Sequence, residues 1–398
     1  MYEVCKVGYT AIIVAGDFGN DGKKSGLANK CYNILKNDSH IESTLLFNGG
    51  DYDEIQNILN LINKKHYDFV FWWPNIDNSF VKNRSVKDYD PFTMLITSKR
   101  DDADKYSFQE LLQRTISVKA NLSFKFKRTD TGLFNITIFD PLGSVWYDGI
   151  DIELAMQTCI DRLIFLKSMT RQNTTQSITD KGLVLSWYFD QFKQNEYKSD
   201  RVIDVPDEND FVDTVKRYAT KFQEFMPTDC VTTRFVGNAS IRKLPPQVGR
   251  CGKGMPSFRR NGYIFVSKRN IDKRFITLEN FVPVYMDNDK LMYCGTDKPS
   301  VDTPVQMLLY NKYSNINYIL HSHCYIKNAP FTKLAIPCGA IEEAREVESI
   351  LTDTTKKFYT VNLIGHGSIV MWNNMSDFHS IYEKNLVYYK RTLPEVMF

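Results

Sequence analysis

The chain has 398 residues, enough for two domains that each bury a core. With 43% hydrophobic, 24% charged and 13% aromatic residues it is no disordered chain, and a formal charge of +3 is too small for a protein that binds nucleic acid along its whole length. Eight cysteines without a C-x-x-C pair argue for reduced thiols. The longest early apolar run, Ala11 to Ala15, is too short to span a membrane, so a cytoplasmic protein without membrane contact is expected.

Tyr9 to Ala15 reads as a buried strand, followed by the loop GDFGNDGKKSG and the helical pattern LANKCYNILK. A strand at Glu42 to Phe47, a helix at Tyr52 to Lys64 and a strand at Tyr67 to Trp73 continue the alternation. Next come a strand at Phe92 to Thr97, a helix at Ser107 to Lys119, a β-hairpin over Leu122 to Tyr147 turning at Asp130 to Gly132, and a helix at Ile150 to Met169. Alternating strands and helices predict an α/β domain over residues 1–175, Rossmann-like or flavodoxin-like. Its first loop is a candidate phosphate or nucleotide site through Gly16, Gly19, Gly22 and Lys23, since backbone N–H groups at a helix start bind anions. The loop matches neither standard fingerprint, because Asp17 stands where a P-loop has glycine and no G-x-G is present. A plain strand-to-helix turn is the competing reading. Trp72 and Trp73 end a strand where such folds bind ligands, but are read as core. Polar residues 176–207 are expected to form a connection with one short helix near Leu183 to Phe192.

The second half, residues 208–398, opens on an amphipathic helix carrying Phe211, Val215, Tyr218, Phe222 and Phe225 on one face. FVGNASIR follows, with Gly237 permitting a tight turn and Asn238 able to donate to an anion. From Arg242 to Arg274 ten basic residues face Asp272 alone. That stretch is a solvated loop or, in part, the border of a pocket for an anionic substrate, with Lys268 and Arg269 as candidate contacts. It lacks a reading helix or stacking motif, so nucleic acid is not an expected partner. Antiparallel strands are expected from Gly262 to Tyr293, and then the run KPSVDTPVQMLLYNKYSNINYILHSH. Ile316 to Leu320 reads as a strand that ends in His321-Ser322-His323, and side chains two apart on a strand share a face. His366 closes a second apolar run, Phe358 to Ile364, and Asp302 precedes a helix-like segment. Three imidazoles and a carboxylate suit a borderline divalent cation, zinc first and manganese or cobalt behind it. Glu342, Glu343 and Glu346, in the first turns of a helix after Gly339, read as favourable to the helix dipole, the alternative being that one of them reaches the metal pocket.

The order KPSVDTP, HSH, IPCG and GHG resembles the class II aldolase and adducin family over about residues 208–398. DTP at Asp302 and IPC at Ile336 to Cys338 are most similar to its L-ribulose-5-phosphate 4-epimerase and L-fuculose-phosphate aldolase branch. The resemblance implies an α/β/α domain with a mainly antiparallel sheet, and Asp302, His321, His323 and His366 as metal ligands, with Asp302 alternatively a base. It also implies a substrate anion held near Asn238, Ser240 and Ser300. This chain lacks the segment carrying the epimerases' second aspartate, and its tail is too short for their tyrosine. Tyr388 and Tyr389, on a final helix read as Met375 to Arg391, are the substitutes for a catalytic acid. The expected function is a metal-dependent lyase acting through an enediolate on an anionic sugar or sugar phosphate. Alternatives are a related epimerase, dehydratase or decarboxylase, or an adducin-like binding or assembly module. Homo-oligomers, mostly tetramers, are implied, with Tyr382, Leu386 and Tyr389 on a contact face.

Overall fold

A computed structural model of the protein describes residues 8–16, 26–64, 67–74, 93–101, 106–172, 196–199, 203–225, 237–243, 263–287 and 290–391. The chain divides after Arg171 into two compact units. Among the described residues no helix is long and apolar enough to cross a membrane.

The first unit is one seven-stranded sheet. Strands β1 (Tyr9–Ala15), β2 (Ile41–Asn48), β3 (Phe69–Trp73), β4 (Met94–Asp101) and β5 (Leu122–Arg128) run parallel in the order β2-β1-β3-β4-β5. The crossovers hold α1 (Gly26–Asn37), α2 (Tyr52–Lys64) and α3 (Phe108–Ser117). This is the flavodoxin-like strand order. Alternate residues of β1 and β3 (Ile12, Val14, Val70, Trp72) form one core with Ile55, Ile58 and Ile62, a stripe at helical spacing on α2. Trp73 turns to the other face and packs edge-on against Phe71, Phe124 and Phe126, so both tryptophans are core.

The expected hairpin is a three-stranded meander, β5 with β6 (Phe134–Phe139) and β7 (Val145–Gly149), before α4 (Ile152–Gln172). The extra turn comes from Asp140, whose carboxylate accepts from Leu142 N and Ser144 N, and from Gly143 at φ +78°. Gly16 ends β1, donating its N–H to the Trp73 carbonyl. Gly19, Gly22 and Lys23 lie outside the described residues.

The second unit is an eight-stranded sheet in the order β15-β16-β13-β9-β10-β11-β12-β8. Its strands are β8 (Glu196–Ser199), β9 (Asn238–Lys243), β10 (Tyr263–Ser267), β11 (Phe281–Asp287), β12 (Lys290–Cys294), β13 (Tyr318–Ser322), β15 (Phe358–Leu363) and β16 (Gly367–Trp372). All pairings are antiparallel except that of β12 with β8. Residues 196–199, read as connection, are thus the edge strand of this sheet; the short helix expected before them lies outside the described residues. One face of the sheet packs on α5 (Asn209–Phe225), whose Phe211, Val215, Tyr218 and Phe222 meet Ile241, Leu320 and Trp372. The other face packs on α6 (Thr303–Lys312) and α7 (Glu342–Ile350), where Val305, Leu309, Ala344 and Val347 meet Ile264, Ile319 and Val361. Helices on both faces give the α/β/α layering.

The C-terminal end departs from the single helix read over Met375 to Arg391. A short turn of helix α8 (Met375–Asp377) passes into a π-helical turn (Phe378–Tyr382) and a 3-10 turn (Glu383–Asn385), and the chain then forms β17 (Tyr388–Tyr389). Strand β17 pairs with β14 (Tyr325–Ile326). Leu386 and Tyr388 enter the core under α5, and this burial, with the strand partner for the backbone, ends the helix.

Candidate metal centre

One end of the second sheet gathers the three histidines. His321 lies in β13 opposite Asn238 on one side and Ile369 on the other, and His323 follows two residues later. His366 occupies the turn between β15 and β16, beside the end of β13. Gly367 makes that approach possible, because a Cβ there would collide with the Ser322 carbonyl oxygen. The turn is tied from three sides. Gly365 N donates to Tyr325 Oη, Ile364 N donates to Thr332 Oγ1, and Arg391 donates to the carbonyls of Gly365 and His366.

The ring centroids stand 5.1 Å (His321–His323), 4.6 Å (His321–His366) and 5.0 Å (His323–His366) apart. One nitrogen of each ring lies within 4.8 Å of the others. All three residues are more than nine-tenths buried, at 3%, 7% and 1% exposure. His321 Nδ1 lies 3.0 Å from the Ser368 carbonyl and, bonding to it, must be the protonated nitrogen. His321 Nε2 and His323 Nδ1 are buried without hydrogen-bond partners. Burial, then the neighbouring His366, pushes His321 down to about 4 against the opposing charge of Asp302. Burial also holds His323 well below the ordinary histidine value. The His321 and His323 rings are therefore neutral at pH 7, and their buried, unpartnered lone pairs are what a divalent cation would satisfy. These residues fit the metal implied by the resemblance.

Asp302 sits at the N-terminal end of α6, almost fully buried. Its Oδ2 accepts from Asn238 Nδ2 at 2.6 Å and lies 3.9 Å from His321 Nε2, while its Oδ1 accepts from Cys338 Sγ at 3.0 Å. Of the three glutamates that open α7, Glu343 is the one that reaches the pocket, 2% exposed with Oε1 2.5 Å from His366 Nδ1. Burial first, then the Asp302 charge, pushes its carboxyl well up, with His321 opposing. Its sequence signal was its helical register with Val347 and Ile350, both on the apolar side of α7. Lys273, one of the ten cations of the basic stretch, is 7% exposed. Burial lowers it to about 8, while the charges of Asp302 and then Asp272 oppose the shift.

The other expected site residues are held as follows. Ser240, on the α6 face of β9, shares a hydrogen bond with Tyr310 Oη at 3.0 Å, and Asn238 is held between Asp302 and Gln306. Ser300 caps the turn into α6, its carbonyl accepting from Thr303. Arg242 donates to the carbonyls that end α6, at Tyr310 and Ser314. Lys268 pairs with Asp297 at 2.8 Å, and Arg269 donates to the Pro299 carbonyl. Tyr388, a candidate catalytic acid, is buried edge-on against Phe222 and Tyr218, and burial raises its hydroxyl well above the ordinary value. Tyr389 packs against Tyr325.

Residues 220–370, all within the second unit, match the family model described as Class II Aldolase and Adducin N-terminal domain. No curated protein matches the chain. Solved structures similar to it include the DNA/pantothenate metabolism flavoprotein from Streptococcus pneumoniae, at 10% identity and a TM-score of 0.30, covering 39% of this chain and 97% of that one. Another is the C-terminal domain of the coenzyme A biosynthesis bifunctional protein CoaBC, at 11% identity and a TM-score of 0.30, covering 40% of this chain and 97% of that one.

Proposed function

We propose that the second unit is a divalent-metal-dependent enzyme of the class II aldolase type, a lyase acting through an enediolate on an anionic sugar or sugar phosphate. The observation that carries this reading is the trio of buried histidines inside the family-matched region, with the lone pairs of His321 and His323 unpartnered. His321, His323, His366 and Asp302 would hold the ion, zinc in the first place and manganese or cobalt as alternatives. When bound, such an ion supplies Lewis-acid stabilisation of an oxygen that gains negative charge as the substrate's bond breaks.

The protein's own groups do the rest. Ser368 and Glu343 fix two of the rings, while Asn238 and Cys338 fix Asp302. The burial of every one of these side chains keeps bulk water from a reactive carbanion equivalent. Lys273, whose charge Asp302 favours against the cost of burial, supports recognition of an anion beside that carboxylate. A homo-oligomer, tetrameric by family resemblance, would cover the exposed Phe275, Ile381 and Val387. The buried thiols of Cys159, Cys324 and Cys338 favour a reducing, cytoplasmic setting.

An adducin-like module is the competing reading, favoured by the internal bonding of Asn238 and Ser240, which takes up two of the groups expected to hold a phosphate. Metal analysis of the purified protein, followed by a screen of phosphorylated and free sugars for fragment release, separates the two. We expect one bound cation per chain, lost in His366→Ala, and turnover cut at least about a hundredfold in Asp302→Asn. Turnover that survives both substitutions would move the chemistry elsewhere, and a wild-type protein inert toward every sugar would favour the module.

A further inference from the structure

Asn238, the first residue of β9, is bracketed by the first turn of α6. Asp302 and Gln306 stand four residues apart there, with Gln306 N donating to the Asp302 carbonyl at 3.0 Å, so their side chains leave the helix on one side. Asn238 Nδ2 donates to Asp302 Oδ2 at 2.6 Å, and Asn238 Oδ1 accepts from Gln306 Nε2. The sense of these bonds follows from the carboxylate. When ionised it only accepts, so it takes the N–H of the asparagine, and the asparagine oxygen, turned the other way, needs a donor of its own. Asn238, Asp302 and Gln306 are 2%, 5% and 2% exposed, so bulk water does not supply that donor. Gln306 Oε1, by contrast, is buried without a hydrogen-bond partner. What the glutamine contributes here is therefore its N–H.

We propose that Gln306 is a positioning residue of the metal centre, acting through Asn238 to hold the Asp302 carboxylate toward the cation. The inference rests on the metal-centre reading above. Without the glutamine N–H, the Asn238 oxygen is left buried and unpaired, and the amide regains a partner only by moving. Such a movement takes from Asp302 the donor that holds its Oδ2, the oxygen 3.9 Å from His321 Nε2. Asn238 is also the cross-strand neighbour of His321, so the amide and the oxygen it holds stand beside a ring of the histidine trio. An outer partner of this kind sets how well a metal ligand is oriented, and its loss is read in metal affinity.

The test is a double-mutant cycle on zinc affinity, measured by chelator competition with the purified full chain. Its members are Gln306→Met, which keeps the length of the side chain but has no N–H, Asn238→Ala, and the two together. Asn238→Ala is expected to lower the affinity about 10–100-fold and Gln306→Met about tenfold, the range for outer partners of metal ligands. The double variant should lie within about twofold of Asn238→Ala, because the glutamine has nothing to act through once the amide is gone. A glutamine that merely packs would give losses that add. Gln306→Leu takes the place of Gln306→Met should that variant fail to fold. Unchanged affinity on loss of the glutamine, or additive losses in the double variant, overturns the positioning role and leaves the metal centre standing. A wild type that binds no zinc overturns both.

Discussion

A histidine ring has two nitrogens, and the partner of one decides what the other can do. His321 gives Nδ1 to the Ser368 carbonyl, a backbone group that no side-chain change removes. His366 depends on Glu343, so that pair can be tested. Glu343→Gln keeps the size of the side chain but replaces the carboxyl group by an amide that can meet Nδ1 with either its oxygen or its N–H, so the ring's tautomer is no longer fixed. The expected result is an intact fold with metal affinity lowered about 10–100-fold, measured by chelator competition. Equal affinities in the two proteins would mean that Glu343 serves only the helix. At this scale the histidines were legible, because the two-residue period of a strand puts His321 and His323 on one face whatever the fold. Glu343 was legible only as one of three acids that could reach the pocket, and Cys338 was not. Acids are common in a helix's first turn, and an isolated cysteine looks like a small apolar residue until a carboxylate is found against it.

The C-terminal turns are clamped to α5 by charge as well as by apolar packing. His379 lies between Glu383, 2.8 Å from Nδ1, and Asp210 of α5, 3.0 Å from Nε2, and Arg217 of α5 also pairs with Glu383. The hydrogen bond to Glu383 is the largest influence on His379; with the help of Asp210, and against partial burial, it lifts the ring above its ordinary value of 6.5. A raised folded-state value means that the folded protein holds the proton more tightly than the unfolded chain. The stability contributed is thus complete below pH 6.5 and is lost as pH rises through the raised value. About a third of the side chain is exposed, so solvent screening keeps the effect below about 1 kcal/mol. Urea unfolding of the wild type and His379→Gln should show a gap at pH 6 that closes by pH 9; parallel profiles would refute the clamp. The sequence concealed how the clamp ends. Apolar and polar residues after Met375 alternate as on a helix, and only the distant edge of Tyr325–Ile326 turns Tyr388–Tyr389 into a strand.

Across the whole molecule, the flavodoxin-like half was legible because buried parallel strands read as short apolar runs separated by helices. The edge strand β8 was not, since Glu196–Ser199 is polar and is a strand only by pairing with β12. That pairing decides where the chain can be cut. Every group at the metal centre lies between Asn238 and Arg391, yet the sheet beneath it ends in β8. A fragment of residues 172–398 retains that edge, whereas one of residues 203–398 bares the backbone of β12, a template for association. The longer fragment should fold, melt cooperatively and bind one cation with the affinity of the full chain. The shorter one should melt lower or aggregate while its soluble fraction still binds metal. Stoichiometry by metal analysis and melting by circular dichroism would check both. A longer fragment that is unfolded or metal-free would show that the first unit is needed to build the centre, and would overturn its assignment to the second unit alone.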